Sequence, residues 1–368
     1  LLAAYQGVVY LLFGLAVRGI RQVSREKRGR PLPMVLVAPL ALVCFELLVP
    51  FIFPWYLAIT QAWQPLVIQV AELAGPLGVS AVLAVTAGAA YDIATTSGRA
   101  RVISAVSAAL VVAFALGFGG LRLSQVRDQR ANAPTLQVGV VQPNVAFNQK
   151  GSQALAVTQL RALQDKSAEL EKAGAELLVW PESAYPFALP RNGTADFDPS
   201  RPYRIRRGFE SPLIFGAITH DTVARDLPPY NSALLLAGEE LIARFDKVFL
   251  LVFGEYIPLG ESLPWLASLM PPAAGSFRPG EEMVTFPLVH DGSVYRVGPM
   301  ICYEDILPSF GRELGAMRPH LLVNVTNDAW FGDTAEPWQH MALSVFRAVE
   351  VRTDLVRAVN TGVSSIIG

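Results

Sequence analysis

Four long apolar runs in the first third of the chain constrain its fold more than any other feature. Residues 1–17, 34–54, 66–90 and 102–121 each approach or exceed the roughly 20 apolar residues that carry a helix across a bilayer. Four such runs in succession would leave a soluble bundle with little polar surface, so a transmembrane helical domain is expected over residues 1–130. The chain begins at Leu1, already inside the first run and without an initiator Met, so that span is expected to be N-terminally truncated.

The loops set an orientation. Residues 18–31 carry Arg18, Arg21, Arg25, Lys27, Arg28 and Arg30 against the single acid Glu26, and the 91–101 connection carries Arg99 and Arg101. The 54–65 loop has no charge. Positive residues mark the cytoplasmic face, so 18–31 and 91–101 are expected inside and 54–65 outside. One further crossing puts everything after residue 122 outside the cytoplasm, with Arg122, Arg127 and Arg130 as the weak dissent. Trp55, Tyr56 and Trp63 fit an interfacial aromatic belt. Glu46 and Glu72 fall within apparent spans, where a carboxylate must find a partner or water. The glycines of 117–120 have no strand before them and read as close helix packing.

Several function classes are disfavoured by composition. A net charge of -1 offers no basic surface for nucleic acid, so no nucleic-acid partner is expected. Two cysteines, Cys44 and Cys302, one in an apolar run and one in the polar half, make no disulfide framework. The histidines His220, His290, His320 and His340 fall at no ligand spacing, so no metal is expected, and no phosphate-binding glycine loop points to a cofactor.

From about residue 135 the pattern changes to α/β. Strands are expected at 136–142, 177–180, 212–218, 231–237, 240–246, 294–301 and 321–325, with two more near 355–360 and 362–367. Helices are expected at 152–174, 305–317 and 335–352. Such interleaving predicts a layered sheet covered by helices.

Three of these strands end in a reactive side chain: LLVWPES in Glu182, ARFDKVFL in Lys247 and GPMICYED in Cys302. Strand ends converge at a sheet edge, which would supply a carboxylate, a cation and a thiol. A thiol with an ordinary pKa near ~8.5 needs activation at neutral pH. A carboxylate can take its proton, and an ammonium can lower its pKa and stabilise an oxyanion. Each residue alone has a plainer account: Cys302 as a small buried hydrophobe, Glu182 and Lys247 as solvated surface. Composition and periodicity leave both accounts open.

The surrounding words add a resemblance. WPES (180–183), FDK (245–247), FGEYIP (253–258), ICYED (301–305) and NVTNDAWFG (324–332) occur in the order of the carbon–nitrogen hydrolase (nitrilase) superfamily. They most closely resemble its membrane branch, the apolipoprotein N-acyltransferases. FPWYLA (53–58) and the 68–80 run look like that branch's membrane domain. The resemblance implies an α-β-β-α sandwich over 135–368, with Glu182 as base, Lys247 as oxyanion partner and Cys302 as nucleophile. Glu255 would support the lysine, and Tyr303 and Glu304 would shape the site. It also implies a bacterial inner-membrane enzyme with a periplasmic catalytic domain. That enzyme would move an acyl chain from a phospholipid, phosphatidylethanolamine being the expected donor, through a cysteine thioester to the N-terminal amine of a diacylated lipoprotein.

Between Lys247 and Gly280 the chain is unusually apolar, with Phe249, Leu250, Leu251, Val252, Phe253, Leu263, Trp265, Leu266, Leu269 and Met270. This reads either as a lid that meets the bilayer or as a packed satellite cluster. Two departures stand out. After VQPN the family's usual Trp is absent, with Gly151 near its place, and Val252 replaces a usual Pro. The chain also ends at Gly368, where relatives are expected to continue through more sheet and a last span. Two other functions stay open at this point: a membrane-tethered amidase, disfavoured by the absence of an Arg soon after CYED, and a non-catalytic membrane scaffold of the same fold.

Overall fold

In the first third of the chain, proline and glycine decide where the apolar runs can be helical. The computed structural model describes residues 2–146, 153–224, 226–258, 265 and 276–368. It divides into two units, Leu1–Ala133 and Pro134–Gly368. In the first unit, α1 covers Leu2–Arg28, α2 Met34–Leu48, α3 Pro65–Ile68, α4 Ala71–Thr95 and α5 Gly98–Ala131. The 34–54 run stops being helical at Leu48, where Val49 turns extended ahead of Pro50. The 66–90 run is not one straight helix. Ala74 and Gly75 leave helical geometry ahead of Pro76, and Gly75 takes φ +62°, a conformation that suits glycine. The 91–101 connection is almost wholly helical, with only Thr96 and Ser97 between α4 and α5.

Among the described residues, α4 and α5 are the two helices long and apolar enough to cross a membrane, and α2 is a shorter apolar helix. Apolar side chains such as Leu40, Leu110 and Phe114 stand exposed on α2 and α5. The acids find partners inside the unit. Glu72 accepts both Nε and Nη2 of Arg122 at 2.7 Å, a two-pronged pairing that employs the arginine. Glu46 accepts the Leu57 N–H at 2.7 Å. Asp92, unremarked in the sequence, accepts the Met34 and Val35 N–H groups at the start of α2 and the Ser104 hydroxyl. That satisfies orphan donors at a helix start. Close packing holds for one glycine of the 117–120 run: a Cβ on Gly119 would run into the Leu66 carbonyl, whereas Gly117 and Gly120 face open space.

The second unit is built from β1 Val138–Val140, α6 Gln153–Lys172, β2 Leu177–Val179, β3 Leu189–Pro190, β4 Leu213–His220, β5 Tyr230–Ala237 and β6 Glu240–Asp246. There follow β7 Phe286–His290, β8 Ser293–Ile301, α7 Pro308–Ala316, β9 Leu321–Thr326, α8 Glu336–Val351, β10 Leu355–Val359 and β11 Ser365–Ile367. One sheet runs β1-β2-β4-β5-β6 with β3 beside β4, and the other runs β11-β10-β9-β8-β7. Alternation along the strands explains the layering. Leu177 and Val179 of β2, with Ala233 and Leu235 of β5, face a core shared with Val297, Met300 and Leu322 of the second sheet. Their neighbours Leu178, Leu234 and Leu236 face the opposite way, into a core with Leu160 and Leu163 of α6. This is the α/β sandwich expected from the sequence.

Two strands went unforeseen. β7 contains Pro287, which argues against a central strand, and among the described residues β7 is an edge strand paired with β8 alone. β3 is two residues long and leaves no periodic signal. The predicted helix at 305–317 starts later. Residues Cys302–Ile306 form a 3-10 turn before α7 begins at Pro308.

The Gly119 contact gives a direct test. Gly119→Val should force α5 away from Leu66 and cost about 1–3 kcal/mol, as overpacking does, while Gly120→Val should be close to neutral. Thermal unfolding of the two variants in detergent would show the difference, and equal melting points would refute the contact.

Candidate functional site

Glu182, Lys247 and Cys302 meet, and they do so from both sheets rather than at the edge of one. Glu182 follows β2, Lys247 follows β6 of the same sheet, and Cys302 follows β8 of the other. The Lys247 side chain is 1% exposed. Its Nζ lies 2.8 Å from Glu255 Oε2 and 3.6 Å from Glu182 Oε1. Burial alone would lower its pKa, but the Glu255 and Glu182 carboxylates outweigh that and hold the ammonium well above the usual lysine range.

Asn231, at the start of β5, joins the two carboxylates. Its Nδ2 donates to Glu182 Oε1 at 2.7 Å and to Glu255 Oε1 at 3.0 Å, and its carbonyl accepts the Lys247 N–H at 2.8 Å. Sequence reasoning missed Asn231, because a lone Asn in a strand carries no local signal. Gly216 of β4 was missed as well. A Cβ there would lie 2.6 Å from the Glu182 Cα, so only glycine lets the glutamate loop cross this strand. The return segment at 276–280 fixes the other side: the Phe277 N–H donates to the Glu255 carbonyl at 3.0 Å and the Gly280 N–H to the Lys247 carbonyl at 2.7 Å.

Cys302 sits at φ +52°, a left-handed conformation that costs a non-glycine residue free energy. Two contacts hold it. Asn324 Nδ2 donates to the Cys302 carbonyl at 3.0 Å. The fully buried Glu304 accepts the Ile301 N–H at 2.8 Å with one oxygen, and the Val248 and Phe249 N–H groups at 2.8 and 3.1 Å with the other. Glu304 thus straps the cysteine turn to the lysine turn. Burial pushes its carboxyl up to about 8, against Lys247 and the three N–H donors. Tyr303, next to Cys302 in the chain, is half-buried.

The sequence led to the expectation that Lys247 lowers the thiol pKa. Lys247 does pull in that direction, but other groups outweigh it and the net shift is upward. Burial pushes the Cys302 thiol up, Glu182 and Asp328 add to it, and Lys247 only opposes them. The resting thiol is therefore protonated at neutral pH.

A second polar group lies behind the Cys302 turn. His340 Nε2 is 2.9 Å from Asp305 Oδ1, and its Nδ1 is 2.9 Å from Asp328 Oδ1. Arg357 Nε donates to Asp305 Oδ2 at 2.9 Å. Asp328, Glu336 and His340 bring ligand-type atoms within 4.8 Å of one another, a meeting their sequence spacing did not reveal. Both His340 nitrogens, however, are already taken up by carboxylates.

Of the apolar segment after Lys247, Phe249, Phe253 and Tyr256 are more than a third exposed and Trp265 is 65% exposed. Leu263, Leu266, Leu269 and Met270 lie outside the described residues, as does Gly151.

A thiol at a strand end, a buried lysine and two carboxylates set between paired α/β layers define a protein of the carbon–nitrogen hydrolase class. Residues 137–368 match the family described as Carbon-nitrogen hydrolase, and residues 1–89 match the Apolipoprotein N-acyltransferase N-terminal domain. Several curated relatives carry the name apolipoprotein N-acyltransferase. The Geobacter metallireducens protein is 33% identical, with 98% of this chain and 68% of that protein covered. The Bdellovibrio bacteriovorus protein is 34% identical over 86% of this chain and 60% of its own. The Rhizobium meliloti protein is 33% identical over 98% of this chain and 67% of its own. The chain thus spans about 60–68% of the length of these relatives. A nitrilase-superfamily amidase from Nesterenkonia AN1 is 20% identical over 64% of this chain and 80% of its own, at a TM-score of 0.39. The chain belongs to the apolipoprotein N-acyltransferase family.

The Glu304 strap makes a pH prediction. A carboxyl raised from 4.5 to about 8 by folding contributes stability that is complete below about 4.5 and is lost as pH rises through about 8. Glu304→Gln cannot titrate, and its amide N–H meets backbone donors, so at pH 5 the variant should be less stable by about 1–3 kcal/mol. That gap should narrow steadily towards pH 8.5 in melting curves, and parallel curves would contradict the assignment. Gly216→Ala should displace Glu182 and cost at least tenfold in any activity of the site.

Proposed function

We propose that the chain is the membrane and catalytic part of an enzyme that transfers an acyl chain from a phospholipid, through a thioester on Cys302, to the amine of a diacylglyceryl-cysteine at a lipoprotein N-terminus. The observation that carries this reading is the buried grouping of Glu182, Lys247 and Glu255 around Asn231, with the Cys302 thiol in its field.

The chemistry follows from the geometry. The thiol is protonated at rest, so its proton leaves as the sulfur attacks the ester carbonyl. Glu182 accepts it: Asn231 fixes its orientation, and Lys247 is paired more closely to Glu255 than to Glu182. An ammonium has three N–H donors, and with one on Glu255, Lys247 has others for the developing oxyanion. The S–C bond forms, the lysophospholipid alcohol leaves with a proton from Glu182, and the thioester remains. The acceptor amine then attacks the thioester carbonyl, the C–N bond forms as the C–S bond breaks, and Glu182 passes an amine proton to the departing sulfur, which restores the thiol. A covalent intermediate divides one hard transfer into two easier ones.

The exposed aromatics Phe249, Phe253 and Tyr256, which follow Lys247 in the chain, support a lipid substrate over a small amide, since they offer apolar surface. The apolar helices α4 and α5 and the basic 18–31 segment support a multi-pass protein of the bacterial inner membrane, with residues 135–368 on the periplasmic side.

Incubating the full-length protein in detergent with phosphatidylethanolamine and reading its intact mass tests the proposal. The expected result is an acyl-sized gain that neutral hydroxylamine removes, that Cys302→Ala lacks, and that forms at least 100-fold more slowly in Glu182→Gln. A folded wild-type protein that gains no such mass would defeat the acyltransferase reading. Turnover of small amides by that same protein would put an amidase in its place.

A further inference from the structure

The polar cluster behind the Cys302 turn plays no part in the chemistry above, yet it is buried. His340 of α8 has a carboxylate at each ring nitrogen, Asp305 and Asp328, both at 2.9 Å. An ionised carboxylate only accepts, so both nitrogens must donate and the ring is an imidazolium. Asp305 gives its other oxygen to Arg357 at 2.9 Å. Two positive and two negative groups then cancel. Glu336, one helical turn before His340, has an oxygen 4.0 Å from Nδ1, and burial pushes its carboxyl up to about 7.

The two carboxylates that His340 joins belong to different walls of the site. Asp305 lies in the 3-10 turn that starts at Cys302. Asp328 lies in the turn after β9, and its charge is one of those that hold the thiol up. Both are buried, so neither carboxylate can turn to water if the imidazole is lost. The ring therefore does two things at once: it ties the cysteine turn to the Asp328 turn, and it balances a negative charge felt by the sulfur.

We propose that His340 is a positioning residue for Cys302, its imidazolium clamping Asp305 and Asp328 so that the thiol is held in place and shielded from the Asp328 charge. This rests on the reading of Cys302 as the nucleophile. The groups whose charge acts on the sulfur are Glu182, Lys247 and Asp328, and those facing the imidazole are Asp305, Asp328, Glu336 and Arg357. Burial works against the imidazolium, but Asp305 outweighs it and the ring is pushed up to about 10, so it stays charged over the working range.

The test is the rate of iodoacetamide alkylation of Cys302 against pH, read by mass on the full-length protein in detergent. A Cys44→Ser background removes the exposed second thiol. Alkylation follows the thiolate fraction. His340→Gln should move the midpoint up by about one pH unit, which is about tenfold slower alkylation below it. Asp328→Asn should move it down, and the double variant should return close to the wild type. A purely structural role for His340 would give no such recovery.

The proposal fails if His340→Gln leaves the profile unchanged, or if the double variant behaves like His340→Gln. Should His340→Gln not fold, Asp328→Asn alone decides: an unshifted midpoint overturns the shielding. A wild-type profile that moves on adding EDTA would also overturn it, in favour of a cation held by Asp328, Glu336 and His340. Alkylation needs no lipid, so a shifted profile in a protein that takes no acyl chain would fault the acyltransferase reading and leave the clamp standing.

Discussion

The buried ammonium of Lys247 is the constraint from which the rest of the site follows. A lone charge in a protein interior costs several kcal/mol, and only well-placed opposite charges offset it. Here the offset comes from Glu255 at 2.8 Å and Glu182 at 3.6 Å, from separate parts of the chain. Two carboxylates about one ammonium leave an excess negative charge. Glu255 is the closer partner and also accepts the Leu251 N–H, so it is fixed as the counter-ion. Glu182 lies farther from the lysine and, in the proposed mechanism, is the carboxylate that takes the thiol proton. The division of labour between two chemically identical side chains comes from geometry alone.

Placing these groups demands unusual backbone. Ser183, Phe253 and Cys302 all have positive φ, and each lies in a turn carrying one of the site's residues. Gly216 gives room for the glutamate turn and Gly280 for the return of the chain past Asp246. The sandwich core, formed by alternating side chains of both sheets, is what stabilises such turns against relaxation. Glu304 and His340 extend the scheme outward. The first ties the cysteine turn to the lysine turn, and the second ties it to the turn after β9.

How far the sequence revealed this depends on the range of the interaction. Strands such as 231–237 and 240–246 announced themselves through apolar residues and flanking turns, and the reactive side chains were visible because each ends such a run. Asn231 was invisible because its value lies in touching Glu182, 49 residues away, and Glu255, 24 away. His340 looked like a stray histidine because Asp305 lies 35 residues before it. The bend at Ala74–Gly75 was written locally, in Gly75-Pro76, but the apolar count of the run concealed it. Periodicity reports burial, whereas polar pairing across the fold leaves no period.

The direction of the thiol shift changes how the site is to be understood. An activated thiolate at rest would be open to oxidation and alkylation on the extracytoplasmic side proposed for it. Burial and the Glu182 and Asp328 charges instead push the Cys302 thiol up, which favours its protonated form at rest. In the proposed mechanism the thiol proton passes to Glu182 as the sulfur's electron pair forms the S–C bond, and the negative charge comes to rest on an oxyanion that Lys247 can meet. On that mechanism the Glu182 charge that helps to hold the thiol up belongs to the group that takes its proton, so latency and reactivity share a residue. This is also why the balance at Asp328 matters. One more uncompensated negative charge beside the sulfur would deepen the latency without strengthening the base, and the His340 imidazolium prevents that imbalance.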